Sequence, residues 1–287
     1  MNMQYKIEYF SGAGNLFSVI DNRNNVIDAN LLSQFAKLSC SKSEKFSIAT
    51  EGLIVLNKSD NNPFSVKFFN PDGSSGMMCG NGARCAVKFA EMLRLIQKGE
   101  VQRPIKFDLA GQEYLAFIDK DKIKVQFPKP RYQKFNIKVP FQEYLVIGDF
   151  IDVGTPHIIF KYEEIPNAKR FAFRYYPIDD FAKPIRYNSE QFPDGVNVSI
   201  YTIENRRRIH LRTYERGVEH ETGACGTASV STAFTLFKKG LINFKSEIIP
   251  TSYNPLIVEN IIDESDEVLG FYLIGTADKI GEALIEF

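Results

Sequence analysis

Two segments, MMCGNGARCAVKFA at residues 77–90 and TGACGTASVSTAF at 222–234, each set a Cys-Gly pair in a glycine-containing turn at the head of a helical pattern. After Cys79, residues Ala83, Val87, Ala90 and Leu93 recur at helical spacing, and QKG at 97–99 offers a lysine and a terminating glycine. After Cys225, Ala228, Thr232, Leu236 and Lys239 do the same before Gly240. Each segment follows runs rich in β-branched and aromatic residues: YKIEYF, NLFSVID, EGLIVLN and SVKFFN before the first, DVGTPHIIF, GVNVSIYTI and RIHLRTYER before the second. IKFDL, EYLAFID and KIKVQF return to strand after the first helix, and the Pro-containing FPKPRY from Phe127 breaks the pattern. A second pair of matching segments, GAGNLFSVI from Gly12 and GTPHIIF from Gly154, lies at nearly the same offset as the two Cys-Gly turns. The chain is therefore expected to fold as two similar α+β lobes with the Cys-Gly turns in equivalent places.

A chain of 287 residues has room for two lobes with cores of their own, and 44% hydrophobic with 24% charged residues suits ordinary globular packing. Thirty-five basic against 35 acidic residues give no net charge, and RRR at Arg206 to Arg208 is the longest run of one sign. That balance speaks against nucleic acid or a membrane surface as partner and for a small molecule. The opening MNMQYKIEYF has no apolar core of a signal peptide, and no apolar run reaches the length of a bilayer, which predicts a cytoplasmic protein. In that compartment Cys40, Cys79, Cys85 and Cys225 are expected to be free thiols. No C-x-x-C occurs, and His157, His210 and His220 form no ligand pattern, so no metal is expected.

A helix N-terminus offers unpaired N–H groups and a positive field, which attract a carboxylate and lower the pKa of a thiol. Cys85 falls inside the first helix among alanines, and with Cys40 reads as a small buried hydrophobe. Cys79 and Cys225 sit in glycine-flanked turns, poor places to bury a thiol. If the lobes face each other, Gly80 and Asn81 on one side and Gly226 and Thr227 on the other could hold one carboxylate, with a thiol on each face of its α-carbon. That arrangement suits inversion at an amino-acid α-carbon, one thiolate taking a proton and the opposite thiol returning one, with N–H donors in place of an electron-sink cofactor.

The long motifs FNPDGSSGMMCGNGARC and TYERGVEHETGACGTAS resemble the two cysteine motifs of the diaminopimelate epimerase family, and FSGAGNLFSVID, VGTPHIIF and GVNVSIYTI follow in the family's order. The resemblance implies two pseudo-symmetric lobes, each an antiparallel, barrel-like sheet around a central helix, with the active site in the cleft between them. Residues 1–130, completed by 276–287, would form the first lobe and 131–275 the second. It also implies epimerisation of LL-2,6-diaminopimelate without a cofactor, in lysine and peptidoglycan precursor synthesis, by a homodimer. Cys79 and Cys225 would be the acid–base pair, with His157 and Glu215 near the chemistry. Asn15, Asn70, Thr155, Asn197, Glu215 and Arg216 would line the substrate. A guanidinium suits a carboxylate, Glu215 an ammonium, and asparagines supply donors and acceptors.

The sequence departs from the family in places that bear on substrate scope. FSIATEG puts Ser47, Ala49, Thr50 and Glu51 where a glycine-rich FGIGADG is common, Leu16 replaces a frequent Asp, and Thr155 a frequent Asn. VEH at 218–220 lengthens the turn before Glu221 by one residue. A two-cysteine racemase of proline, hydroxyproline or another amino acid is the nearest alternative, and an inactive binding homologue the next.

Overall fold

The strand runs read from the sequence correspond to strands in the computed structural model of the chain, which describes residues 3–42, 49–75, 79–96, 103–265 and 267–287. The chain divides into two units, Met1–Gln126 with Ile274–Phe287, and Phe127–Leu273. The stop signal at 97–99 lies outside the described residues.

The first unit runs β1 (Gln4–Gly12), β2 (Asn15–Asp21), α1 (Leu32–Cys40), β3 (Leu53–Asn57), β4 (Ser65–Phe69), α2 (Gly80–Met92), β5 (Ile105–Leu109), β6 (Gln112–Asp119) and β7 (Lys122–Pro128). The C-terminal strand, numbered β16 (Asp278–Glu286), returns to pair with β1, giving the sheet order β16-β1-β2-β3-β4-β5-β6-β7. Neighbours are antiparallel except β2/β3 and β4/β5. The exceptions have one cause: a helix connects each of those pairs, α1 the first and α2 the second, and a crossover through a helix brings the chain back in the same direction.

The second unit repeats the plan with β8 (Tyr132–Phe141), β9 (Tyr144–Asp152), β10 (Pro156–Lys161), α3 (Ile178–Arg186), β11 (Asn197–Asn205), β12 (Arg208–Tyr214), α4 (Gly226–Lys238), β13 (Lys245–Ile249), β14 (Leu256–Ile262) and β15 (Val268–Thr276). The run DVGTPHIIF is interrupted by a bend at 153–155, so only Asp152 belongs to β9 and the strand resumes at Pro156 as β10. The sheet order is β8-β9-β10-β11-β12-β13-β14-β15, and β10/β11 and β12/β13 are the parallel pairs, connected through α3 and α4. Thus α2 and α4 occupy the same place in two equivalent topologies, as the repeated Cys-Gly segments predict.

In β3, LIVLN is buried at Leu53, Ile54, Val55 and Leu56 because both faces of the strand are covered. Leu53 and Val55 pack with Phe35 and Ala36 of α1 in one cluster. The strand period of two turns Ile54 and Leu56 to the other face. There α2 touches β1, β2, β3 and β4, and Phe10 meets Phe89 edge to face at 5.8 Å. In the second unit α3 packs its Ile178, Phe181, Ala182 and Ile185 against Ile158, Phe160, Val198 and Ile200. Helix α4 is buried without interruption from Gly226 to Leu236 and touches strands on both sides of itself, β9, β10, β11, β13 and β14. Burial around its whole circumference marks α4 as the helix its sheet curves about. Two helix starts, each at the end of a buried rod, are what the architecture positions.

Candidate active site

Cys79 is the N-cap of α2, with φ −116° and ψ 108°, and its Sγ accepts the Gly82 N–H at 3.3 Å. Cys225 is the N-cap of α4, with φ −112° and ψ 115°, and its Sγ accepts the Ala228 N–H at 3.5 Å. Both sulfurs thus take the N–H three residues on, the place a serine, threonine or aspartate oxygen usually fills. A neutral thiol is a weak substitute there, whereas a thiolate gains from the N–H groups and the positive helix end. Cys79 is partly exposed, but Cys225 is buried, against the expectation that its glycine-flanked turn would leave the thiol accessible. Cys40 and Cys85 cap no helix start, and burial pushes both thiols up, away from ionisation.

Around Cys79 the backbone is packed closely. A Cβ at Gly12 would lie 2.9 Å from the Asn81 carbonyl oxygen and 3.0 Å from the Cys85 Sγ, so only glycine lets β1 approach this turn. Asn81 is buried in the first turn of α2, and its Oδ1 accepts from the Arg84 Nη2 at 2.9 Å. Arg84, which the sequence analysis did not single out, is the largest fully buried side chain of the described residues, and Nη1 reaches the Gly80 carbonyl at 3.4 Å. Burial lowers its pKa to about 10. It remains a cation at neutral pH and adds to the field that favours a Cys79 thiolate. The one available signal was its position in the helical pattern, on the same buried face as Ala83 and Val87. Asn15 opens β2 and is buried. Asn70 follows β4, where its Nδ2 donates to the Ser74 Oγ at 2.8 Å.

Around Cys225 the partners come from three elements. Glu215, just past β12, is half-buried, and burial pushes its carboxyl up against the opposing effect of the Thr222 hydroxyl and the Cys225 thiol, both hydrogen bonded to it. A carboxylate made more basic beside a thiol can exchange a proton with it. Thr227 Oγ1 lies 3.4 Å from the Cys225 Sγ and 2.9 Å from the His157 Nε2, which is 3.1 Å from Thr155 Oγ1. The chain of contacts Cys225–Thr227–His157–Thr155 ties the start of α4 to β10. His157 is fully buried, and burial, then the charge of Arg216, bring its pKa down to about 3. The imidazole is therefore neutral in the folded protein across the physiological range.

That depression carries a pH signature. Between about pH 6.5 and pH 3 the unfolded chain binds a proton at this histidine that the folded chain does not. Folding stability should fall as pH drops through that window, by about 1.4 kcal/mol per pH unit from this group alone. His157→Gln, which keeps a hydrogen-bonding amide, should flatten the pH dependence of chemical denaturation below pH 6. An unchanged slope would place the acid sensitivity elsewhere.

Asn197, at the start of β11, acts as a strut. Its Nδ2 donates to the Pro156 carbonyl at 2.9 Å and its Oδ1 accepts the Arg216 N–H at 2.8 Å. Arg216 Nη1 donates to the Asp194 carbonyl at 2.5 Å. Glu221, in the turn beyond, is held by the paired nitrogens of Arg212 at 2.7 and 2.6 Å, and by the Thr251 hydroxyl at 2.6 Å. In the second unit Thr155, His157, Asn197, Glu215, Arg216, Cys225, Gly226 and Thr227 thus belong to one connected set. Cys79, Gly80 and Asn81 stand at the α2 terminus in the first, and Asn15 pairs across β1 and β2 with Gly12, which packs against the Asn81 carbonyl. Of the departing positions, Thr50 is buried and pairs with the Ser18 hydroxyl at 3.0 Å, Glu51 N–H donates to the Leu16 carbonyl at 2.7 Å, and Ser47 lies outside the described residues. Among the described residues no group of three or more His, Cys, Asp and Glu side chains is placed to hold a metal ion, and no helix is long and apolar enough to cross a membrane.

The chain as a whole is similar to known proteins. The family described as diaminopimelate epimerase matches residues 9–130. The diaminopimelate epimerase of Hydrogenobaculum sp. is 32% identical over 98% of this chain and 98% of its own, and that of Aquifex aeolicus is 32% identical over 94% of each. Among solved structures, a hydroxyproline epimerase from Agrobacterium vitis superposes with a TM-score of 0.75 at 11% identity, covering 100% of this chain and 94% of its own. A phenazine biosynthesis protein of Bacillus anthracis does so with a TM-score of 0.68 at 13% identity, covering 99% of each. At those identities the solved structures share the two-lobed α+β fold, while the nearly full-length matches at 32% carry more: this chain belongs to the diaminopimelate epimerase family.

Proposed function

We propose that the chain interconverts LL-2,6-diaminopimelate and meso-diaminopimelate by a two-base reaction at one α-carbon, without a cofactor. The observation that carries this reading is the matched pair of cysteine N-caps, each sulfur accepting the N–H three residues on at equivalent helices of a repeated topology. One sulfur, as thiolate, removes the α-proton. The electron pair left on carbon spreads into the adjacent carboxylate, whose oxygens are stabilised by N–H donors of the two helix starts, at Gly80 and Asn81 and at Gly226 and Thr227. The other sulfur, as thiol, delivers its proton to the opposite face. The two cysteines end with exchanged protonation states, so each serves as base for one stereoisomer and acid for the other. Glu215, hydrogen bonded to Cys225, can reset that thiol or receive the α-ammonium group. His157, being neutral, orients the Thr227 hydroxyl beside Cys225.

Asn15, Asn70, Thr155, Asn197 and Arg216 would hold the rest of the substrate, with Arg216 on the distal carboxylate. Action on this substrate would place the protein in lysine and peptidoglycan precursor synthesis, and a cytoplasmic homodimer is part of the same proposal.

The test is deuterium incorporation at the α-carbon in deuterated water, with LL-diaminopimelate set against proline, hydroxyproline and common amino acids, without added metal or pyridoxal phosphate. Rapid exchange with diaminopimelate alone is the expected result. Exchange with proline or hydroxyproline instead would make the chain a racemase of those substrates, and no exchange with any would leave an inactive binding homologue.

A further inference from the structure

One residue of the turn after β12 stands in an unfavourable backbone conformation. Glu219 has φ +62°, the left-handed region where glycine or asparagine is usual. If the turn needed only length and shape, glycine would serve better at this position. What glycine would lose is the carboxylate, and that group is heavily used. Its Oε1 accepts the Gly217 N–H at 2.9 Å and the Arg186 Nη2 at 2.8 Å. Its Oε2 accepts the Tyr187 hydroxyl at 2.9 Å and the Tyr214 hydroxyl at 3.4 Å. The backbone closes the same turn, Glu219 N–H to the Glu215 carbonyl at 2.8 Å and Glu215 N–H to the His220 carbonyl at 3.2 Å. Glu215 and Arg216 are the first residues of the turn so closed.

Arg186 explains why a charge is needed. Its guanidinium lies over Gly195, where a Cβ would be 2.1 Å from Arg186 Nη1 and 3.3 Å from Arg216 Cδ, so two arginine side chains share one glycine surface. Two cations that close repel each other unless an anion intervenes. Burial and Arg186 both work against the charge of Arg216, in keeping with that crowding. Glu219 supplies the anion, paired with Arg186 where both side chains are partly shielded from water.

We infer that Glu219 is a positioning residue whose carboxylate, by neutralising Arg186 and binding the Gly217 N–H, holds the 215–221 turn closed and so fixes Glu215 and Arg216 for the substrate. The fixing of the turn is a property of the folded chain, and its effect on substrate rests on the proposed epimerase reading.

Two variants and two readouts test it. Glu219→Gly relieves the backbone and removes the carboxylate, and Glu219→Gln keeps the size and removes the charge. The first readout is tryptic cleavage of the native protein after Arg216, followed by mass spectrometry, which reports opening of the turn independently of activity. Both variants should be cut about tenfold faster than wild type, the factor expected for loss of one charge-assisted hydrogen bond. Their melting temperatures should stay close to the wild-type value. The second readout is kinetic: KM for diaminopimelate should rise about tenfold in both variants while kcat changes by less than about threefold. Wild-type cleavage rates in both variants would overturn the inference whatever the kinetics. Were wild-type protein inactive on diaminopimelate, the proposed reaction would fall, and the cleavage rates would still decide the role of Glu219.

Discussion

Cys79→Ser and Cys225→Ser are each expected to lower kcat for diaminopimelate epimerisation by about a thousandfold or more while leaving the protein at least as stable as wild type. The two expectations have different origins, and their combination is the test. A positioned acid or base contributes about 10² to 10⁴ in rate, and a serine hydroxyl, far less acidic than a thiol, can neither hold a negative charge at neutral pH nor take the α-proton. As an N-cap, however, serine is preferred over cysteine, and its Oγ can accept the Gly82 or Ala228 N–H that the sulfur now accepts. The alanine variants should be equally inactive but less stable, by about 1 kcal/mol for a lost cap. A serine variant that kept more than about a tenth of wild-type kcat would rule out proton transfer by that sulfur. Serine variants that unfolded would return the thiols to a structural role.

The cysteines were legible because everything that defines them is local. Cys-Gly, a helical period behind it and a strand before it lie within about twenty residues, the range over which pattern and capping rules operate. Helices α1 and α3 escaped the same reading for physical reasons. Each has nine residues, neither has a side-chain cap, and α3 carries Pro184. Their helical form is held by packing against strands distant in sequence, and not by propensity. The site divides along the same line. Glu215 and Arg216 came from a motif, but what holds them did not. The Glu219 carboxylate meets Arg186 across 33 residues, and His157 meets Thr227 across 70. Arg84 was overlooked because an arginine in a helical pattern ordinarily faces water, whereas here it is buried against Gly80 and Asn81.

The second large effect is expected at Arg216. Diaminopimelate has a carboxylate at each end, and the end remote from the reacting carbon needs a cation to offset its desolvation. Arg216 is the cation proposed for that role, and it is held by the Asn197 amide on its backbone and the Asp194 carbonyl on Nη1. Glu219 and Arg186 shape its surroundings from the side. Truncation to alanine removes the charge-assisted contact and leaves the substrate carboxylate unpaired, so the loss in kcat/KM should correspond to about 2–5 kcal/mol. Lysine should recover little of it, because a point charge on a flexible stem cannot reproduce a planar fork held by a backbone carbonyl. The effect should be specific to the long substrate: α-proton exchange on an amino acid with one carboxylate, however slow, should change by less than about threefold in the same variants. If both variants lost less than about threefold in kcat/KM on diaminopimelate, Arg216 would not be the distal anchor, and the preference for a dicarboxylic substrate would have to reside in the asparagines.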